Sequence, residues 1–566
     1  MVPAREIRQH LGHLVESAVR EAVAAGELPD VAYPSAAIER PKDPSHGDFA
    51  STLALRMARA AMRPPLEIAE ILVRHLPEDP AIEPATVAPP GFINFQLSTR
   101  YLQRQVDAIL EEGPAFANLG LGRGKRAQVE FVSANPTGPL HVGNGRGAAI
   151  GDALAASLAA AGYEVEREYY INDAGTQTDT FAETLYARYQ QLFGRDVDIP
   201  PDGYPGEYMV ELAEELRREF GDRLLRDPGA PPPPEVRERG IALMVERIRQ
   251  TLERFGVRYD RWYSERSLYE PDGPYERAME LLQQQGFLVQ REGATWFVSS
   301  ELGESKDNVV VRSDGRPTYY ASDIAYHYDK FVLRGFDLVI DVWGADHHGH
   351  VSRVKTAVVA LGIDPERLHI LLYQLVTLKR AGEVVRLSKR GGEIITLDEL
   401  LDEVGRDAAR FFFLNRSPGA QMDFDIDLAV KQSNENPVYY VQYAHARMAS
   451  ILDRARERGL SPDGGDTSLL TEAHELALVR EMLRLPEVIE ACATTFEPQV
   501  LPQYAVSLAT AFHAFNDAFR QRNDSSLKVI TDDEQLTRAR LKLVAAAKIV
   551  LARALDLMGM SAPERM

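Results

Sequence analysis

The sequence predicts a multidomain α/β protein, with a small α+β unit first, a parallel-sheet unit in the middle and an all-α bundle last. Three observations carry that prediction. From Ala127 a strand-like run, a breaker-rich turn, an alanine-rich helix and a second strand follow one another within about 45 residues. The same alternation returns at 336–376. After about Asp398 no strand signal recurs, and heptad-like apolar spacing takes over. At 566 residues there is room for about three or four domains. A composition of 45% hydrophobic and 26% charged residues excludes a largely disordered chain.

Taken in order, residues 1–110 form the α+β unit. MVPAREIRQHLGHLVESAVREAV spaces its apolar residues as an amphipathic helix and mixes acids with bases, unlike the apolar core of a signal peptide. Strand-like runs follow at 36–39 and 92–97, with a proline-rich loop at 77–91 between them and a glycine-rich linker at 113–124 behind. AQVEFVSA is then a strand ending at NPTGPL, GNGRGAAIGDALAASLAAAG a helix, and YEVEREYYI the next strand. That order is a βαβ unit, which implies a parallel sheet and a right-handed crossover. FDLVIDVWG, VSRVKTAVVALG and LHILLYQLV supply the second strand–helix–strand set. Between the two halves, at about 180–298, lies a charged insertion expected to be helical, with PPPPEV at 231–236 as a loop. The sheet unit is assigned to 111–400 and the helical bundle to 401–566.

The net charge of −20 is unevenly spread: −3 over 1–110, −15 over 111–430 and −2 over 431–566. The near-neutral flanks leave room for basic faces toward nucleic acid, and the acidic centre suits a cationic substrate. No stretch approaches the ~18 consecutive apolar residues of a membrane span. The single cysteine, Cys492, excludes an intrachain disulfide and a Cys-rich zinc site, and a cytoplasmic protein is expected.

Two segments carry chemistry. In Asn135-Pro136-Thr137-Gly138-Pro139-Leu140-His141-Val142-Gly143-Asn144 a strand end meets a helix start, where free N–H groups and the helix dipole face an anion. Gly143 lets a nucleotide approach the backbone, and His141 can bond phosphate oxygens. The spacing is neither G-x-G-x-x-G nor that of a P-loop. On the residues alone, the structural readings are favoured: His141 as a helix cap, Glu130 as a strand-end ion pair and Asp323 as a helix N-cap. The second segment, Arg386-Leu387-Ser388-Lys389-Arg390-Gly391-Gly392, could fold over a polyphosphate or be a solvated turn. Asp346-His347-His348-Gly349-His350 has some look of a metal cluster, but a zinc site needs three or four converging ligands, so no structural zinc is expected.

Together the two segments resemble the HIGH and KMSKS signatures of class I aminoacyl-tRNA synthetases, in the right order and one in each half of a split nucleotide-binding fold. VEFVSANPTGPLHVGNGRGAAIGDALA, YYINDAGTQ, PTYYASDIAYHYDKF, GADHHGH, NENPVYYVQYAHAR and LMGMSAPERM are similar to bacterial arginyl-tRNA synthetases over essentially the whole chain. Asn144 stands where the second histidine of HIGH would be, and Arg386 and Leu387 replace Lys and Met of KMSKS, while Lys389 is retained.

The resemblance implies a Rossmann-like parallel-sheet catalytic domain, an N-terminal tRNA-contacting domain and a helical anticodon-binding domain. It implies ATP with Mg2+ as substrate complex, with His141 and Lys389 catalytic and His141, Gly143, Asn144, Gly344, Asp346, His348, Arg386, Ser388 and Lys389 around ATP. Glu130, Ser133, Asn135, Tyr319, Asp323 and His347 are carried over to arginine, and Tyr439, Tyr443 and Arg447 to tRNA. A guanidinium is a planar fork of donors best read by carboxylates, so two acids from separate segments suit arginine. Stacked aromatics beside an arginine suit unpaired bases, though at helical spacing they suit a core too. The implied activity is ligation of L-arginine to tRNA(Arg) through an arginyl-adenylate, by a monomer. The rivals are another class I synthetase and a non-catalytic tRNA-binding paralogue. The cysteine enzyme needs zinc ligands that a one-Cys chain lacks, and a glutamate pocket should be basic.

Overall fold

The structure, a computed structural model, describes residues 2–385 and 395–566. Its first unit opens with α1 (Ile7–Ala24), which buries Ile7, Leu11, Val15, Ala18 and Ala22 at helical spacing. Strands β1 (Ile38–Glu39) and β2 (Phe49–Ser51), helices α2 (Leu53–Ala61) and α3 (Pro65–Arg74), and strands β3 (Thr86–Ala88) and β4 (Phe92–Phe95) complete it. The four strands form an antiparallel sheet in the order β1-β2-β4-β3. Helix α4 (Thr99–Glu112) leads out, capped by Ser98, whose hydroxyl oxygen accepts the Tyr101 N–H at 3.1 Å.

The βαβ unit then appears as β5 (Arg126–Phe131), α5 (Val142–Ala160) and β6 (Glu164–Ile171). Helix α5 is buried on nearly every side. Its small residues permit this: a Cβ at Gly151 would stand 2.1 Å from the Phe131 ring. Helices α6 (Thr176–Gln191), α7 (Glu207–Phe220) and α8 (Pro234–Arg254) follow, then β7 (Arg261–Ser264), α9 (Pro274–Gln284) and strands β8 (Leu288–Arg291), β9 (Ala294–Phe297) and β10 (Asn308–Val311), which pair antiparallel. Helix α10 (Tyr319–Tyr328) continues into a π-helical turn at Asp329–Leu333. The second half comprises β11 (Leu338–Gly344), α11 (Val351–Ala360) and β12 (Leu368–Tyr373). Strands β13 (Val376–Arg380) and β14 (Glu383–Val384), helices α12 (Leu397–Val404) and α13 (Arg406–Leu414), strand β15 (Met422–Asp425) and helix α14 (Ile426–Val430) lead to the bundle of α15 (Pro437–Glu457), α16 (Ala473–Met482), α17 (Leu485–Thr495), α18 (Val500–Arg522) and α19 (Glu534–Leu557).

The central sheet is parallel throughout, in the order β12-β11-β5-β6-β7. Its centre is not purely apolar. Asp341, Glu130 and Glu168 are direct neighbours across β11, β5 and β6, so one face carries a row of three buried acids. Lys330 and Arg334, from the π turn and the residue after it, answer that row.

Four sequence expectations need correction. The 180–298 stretch is not wholly helical, because β7 closes the edge of the central sheet and β8–β9 form a hairpin. The run at 368–376 is two strands: β12 stays in the central sheet, and β13 joins another with β14 and β15. A strand does recur after Asp398, since β15 pairs parallel to β13 with alternating burial. β7 and β15 have only four residues each, and their partners lie more than forty residues away in sequence. PPPPEV is a loop only in part, as Pro234 is the first residue of α8, where a missing N–H does no harm.

The first unit packs on the last helices. Arg40 grips Glu487 through two bonds of 2.7 and 2.9 Å, Arg480 reaches Asp48 at 2.9 Å, and Lys542 and Thr467 both bond Asp107. Helix α17 packs against α5 and holds Cys492, fully buried near Ser157, its thiol pushed up to about 12 by burial. Among the described residues no helix is long and apolar enough to cross a membrane.

Candidate active site

The carboxyl edge of the central sheet divides between β5 and β11, whose following helices go to opposite sides, and such a switch point opens a crevice. Past Phe131, Val132 and Ser133 take positive φ values of 69° and 41°, a sparsely populated region for residues with side chains. The bend is held from outside. Ser133 donates to Glu130 Oε1 at 2.9 Å and accepts the Tyr170 N–H at 3.1 Å, while the Tyr169 and Tyr259 hydroxyls donate to the carbonyls of Ala134 and Phe131. Asn135 donates to Gln177 Oε1 at 2.6 Å.

His141 is the N-cap of α5. Its Nδ1 accepts the Asn144 N–H at 3.3 Å, and Asn144 Oδ1 accepts the His141 N–H at 3.0 Å, a reciprocal capping box. Asn144 thus has a structural task that suits an amide in place of histidine. A Cβ at Gly143 would stand 3.0 Å from the His141 ring. Burial lowers the imidazole pKa of His141, with Asp346 partly opposing. Asp346 belongs to the exposed turn Ala345–His350 that follows Gly344 at the end of β11, so the two strand ends face one common space. His347 lies 3.6 Å from Asp346, and His348 and His350 are exposed. Tyr373, at the end of β12, is pushed up to about 12 by burial. Among the described residues no three His, Cys, Asp or Glu stand close enough to hold a metal ion.

The second signature, from Arg386 to Arg390, falls outside the described residues, and Arg386, Ser388 and Lys389 with it. Its described flanks reach the first signature. Thr396 forms a β-bridge with His141, and the Leu397 N–H donates to the Leu140 carbonyl at 2.8 Å.

On the other side of β5 stand the acids. Glu130 does carry the expected ion pair: Lys330 Nζ donates to its Oε2 at 2.6 Å and to Asp341 Oδ1 at 2.8 Å. Burial raises the Glu130 carboxyl, against the pull of Lys330. Asp323 is not an N-cap, since Thr318 occupies that position of α10. Among the described residues its carboxylate has no hydrogen-bond partner, and burial pushes it up to about 7. Glu265 is also buried, with Oε2 unbonded and its carboxyl raised by burial. Tyr319 opens α10 and is exposed, its hydroxyl beside Gly175. The sequence reading missed Lys330, His327, Asp341 and Glu265. Asp323, His327 and Lys330 do stand at i, i+4 and i+7, a spacing that marks one helix face.

On α15, Tyr439 and Tyr443 stack at 6.0 Å and 7°, and Tyr443 in turn lies on His513 at 6.0 Å and 18°. Arg447 stands one turn further along the same helix. His513 was not anticipated.

The chain matches three family models: the arginyl-tRNA synthetase N-terminal domain over residues 9–97, the class I (R) tRNA synthetase catalytic domain over 105–199 and 233–423, and the DALR anticodon binding domain over 441–566. It is 52% identical over 552 residues to the arginine–tRNA ligase of Dehalococcoides mccartyi, covering 98% of each chain. It is 48% identical over 558 residues to that of Carboxydothermus hydrogenoformans, again covering 98% of each. The arginyl-tRNA synthetase structure from Thermus thermophilus superposes with a TM-score of 0.76 at 26% identity, over 99% of this chain and 100% of the other. Matched in order along its whole length by these models and relatives, the chain belongs to the arginyl-tRNA synthetase family of class I.

Proposed function

We propose that this chain ligates L-arginine to tRNA(Arg) in two steps at the crevice between β5 and β11. The arginine carboxylate attacks the α-phosphate of Mg·ATP in line, giving arginyl-adenylate and pyrophosphate. A terminal ribose hydroxyl of the tRNA then takes the arginyl group, releasing AMP. No covalent enzyme intermediate is needed, so the work is positioning and charge stabilisation.

The observation that carries the reading is the arrangement at one sheet edge: a helix start capped by His141 on one side of β5, of the kind that suits an anion, and on the other side the Asp323 carboxylate, which has no hydrogen-bond partner among the described residues. In this reading the N–H groups of α5, His141, Gly143 and Asn144 hold the phosphates. Gly344, Asp346 and His348 line the adenosine side, and Arg386, Ser388 and Lys389 are assigned to ATP. Glu130, Ser133, Asn135, Tyr319, Asp323 and His347 surround arginine, with Asp323 reading the guanidinium. The units 1–110 and 401–566 hold the tRNA, the second through Tyr439, Tyr443 and Arg447, and 111–400 does the chemistry. The enzyme works as a cytoplasmic monomer, for which sedimentation at working concentration is the check.

ATP–pyrophosphate exchange with each amino acid in turn, with and without tRNA, tests the proposal. Exchange specific to arginine is expected. Exchange with another amino acid would transfer the assignment to a different class I enzyme, and none under any condition would favour a non-catalytic tRNA-binding protein.

A further inference from the structure

Lys330 is a buried ammonium with every donor directed. One N–H goes to Glu130 Oε2 at 2.6 Å, one to Asp341 Oδ1 at 2.8 Å, and the nitrogen lies 4.1 Å from the centre of the Tyr326 ring. It has no exposed surface, and none of these contacts faces the solvent. Its position depends on the π-helical turn at Asp329–Leu333, the kind of local irregularity that recurs at functional sites. One turn earlier, His327 sits between two acceptors, Asp341 Oδ2 at 3.0 Å and the Asp323 carbonyl at 2.8 Å. Helix α10 is therefore tied to the sheet at the level of Asp323 by one imidazole and one ammonium.

Glu130 is held from behind. Ser133 holds Oε1 and Lys330 holds Oε2, which fixes the plane of the carboxylate and leaves only its remaining lone pairs for a ligand. An isolated carboxylate at this depth would take up a proton and lose its attraction for a cation. We propose that Lys330 is the positioning residue of the arginine pocket: it holds Glu130 ionised and correctly turned, and acts on arginine only through Glu130. This rests on Glu130 being an arginine-binding residue.

The test is a double-variant cycle in the full-length enzyme, following the KM for arginine, the KM for ATP and kcat for aminoacylation. Lys330→Met is expected to raise the arginine KM by about tenfold or more while the ATP KM stays within about twofold. A merely structural role would degrade both together. Glu130→Gln should also raise the arginine KM. Adding Lys330→Met to Glu130→Gln should then change it by less than about threefold, because the route through Glu130 is already gone. The double variant leaves Asp341 paired with His327 and strands no carboxylate at position 130, so it keeps the test open if Lys330→Met alone does not fold. Independent, multiplying effects in the double variant would overturn the proposal, as would a normal arginine KM in Lys330→Met. An unchanged arginine KM in Glu130→Gln would instead remove the reading of Glu130 itself, and this proposal with it.

Discussion

Asp323 must be charged to read a guanidinium, yet burial holds its carboxyl up to about 7. In the free enzyme kcat/KM for arginine should therefore rise with pH through about 7 and level off above it. Asp323→Asn should abolish that inflection and weaken arginine binding by about 2–5 kcal/mol, the usual loss for one partner of a desolvated charge pair. Stability moves the other way. A carboxyl whose folded pKa exceeds its unfolded value contributes stability below the unfolded value and loses it as pH rises through the folded one. Without arginine, Asp323→Asn should thus melt higher than the wild type at pH 8, and the gap should close toward pH 4, as calorimetry at the two pH values would show. The acids Glu130 and Asp323 were legible because the motifs around them were. Lys330 and His327 were not, because nothing local marks a lysine as the counter-ion of acids on strands brought alongside only by the fold. At position 389, Lys389→Ala should slow adenylate formation by about 10²–10³ with the arginine KM nearly unchanged, the scale of losing one preorganised donor to a developing charge. A normal single-turnover rate would take Lys389 out of the mechanism.

Among elements, β5–α5–β6 and β11–α11–β12 could be read from sequence because each strand and helix is long enough to show its period. β7 and β15 could not, since four residues, RWYS or MDFD, become a strand only when a distant partner presents its edge. The start of α5 shows how a local motif serves two purposes. The capping box of His141 and Asn144 both begins the helix and sets the His141 ring, which the proposed mechanism turns to the ATP phosphates. Asn144→Ala removes the acceptor for the His141 N–H and should cost about 1 kcal/mol of stability, as cap deletions do. Because the ring is left less fixed, the ATP KM should rise several-fold while the arginine KM holds. Denaturant unfolding and exchange kinetics on the same preparation would separate the two effects, and an unchanged ATP KM would reduce the box to a helix cap.

At the scale of the molecule, the helical region is wired to the site. Arg410 of α13, fully buried, donates to Asp152 of α5 at 2.5 Å and to the carbonyls of Phe255 and Met558. Helix α12 starts where Thr396 bridges His141. tRNA bound to the bundle can bias the anion site along this route if it prefers one arrangement of the joint, and about 1.4 kcal/mol of preference is tenfold in population. ATP–pyrophosphate exchange with arginine should accordingly be weak without tRNA and strong with it, and full exchange without tRNA would refute the coupling while sparing the ligase assignment. The α17–α5 contact gives the molecule an internal clock. Its only thiol, Cys492, is shut inside this seam and held protonated by burial. A thiol reagent in native buffer can then react only as fast as the seam opens, at most once per chain, so labelling kinetics would report the breathing of this interface without any introduced probe.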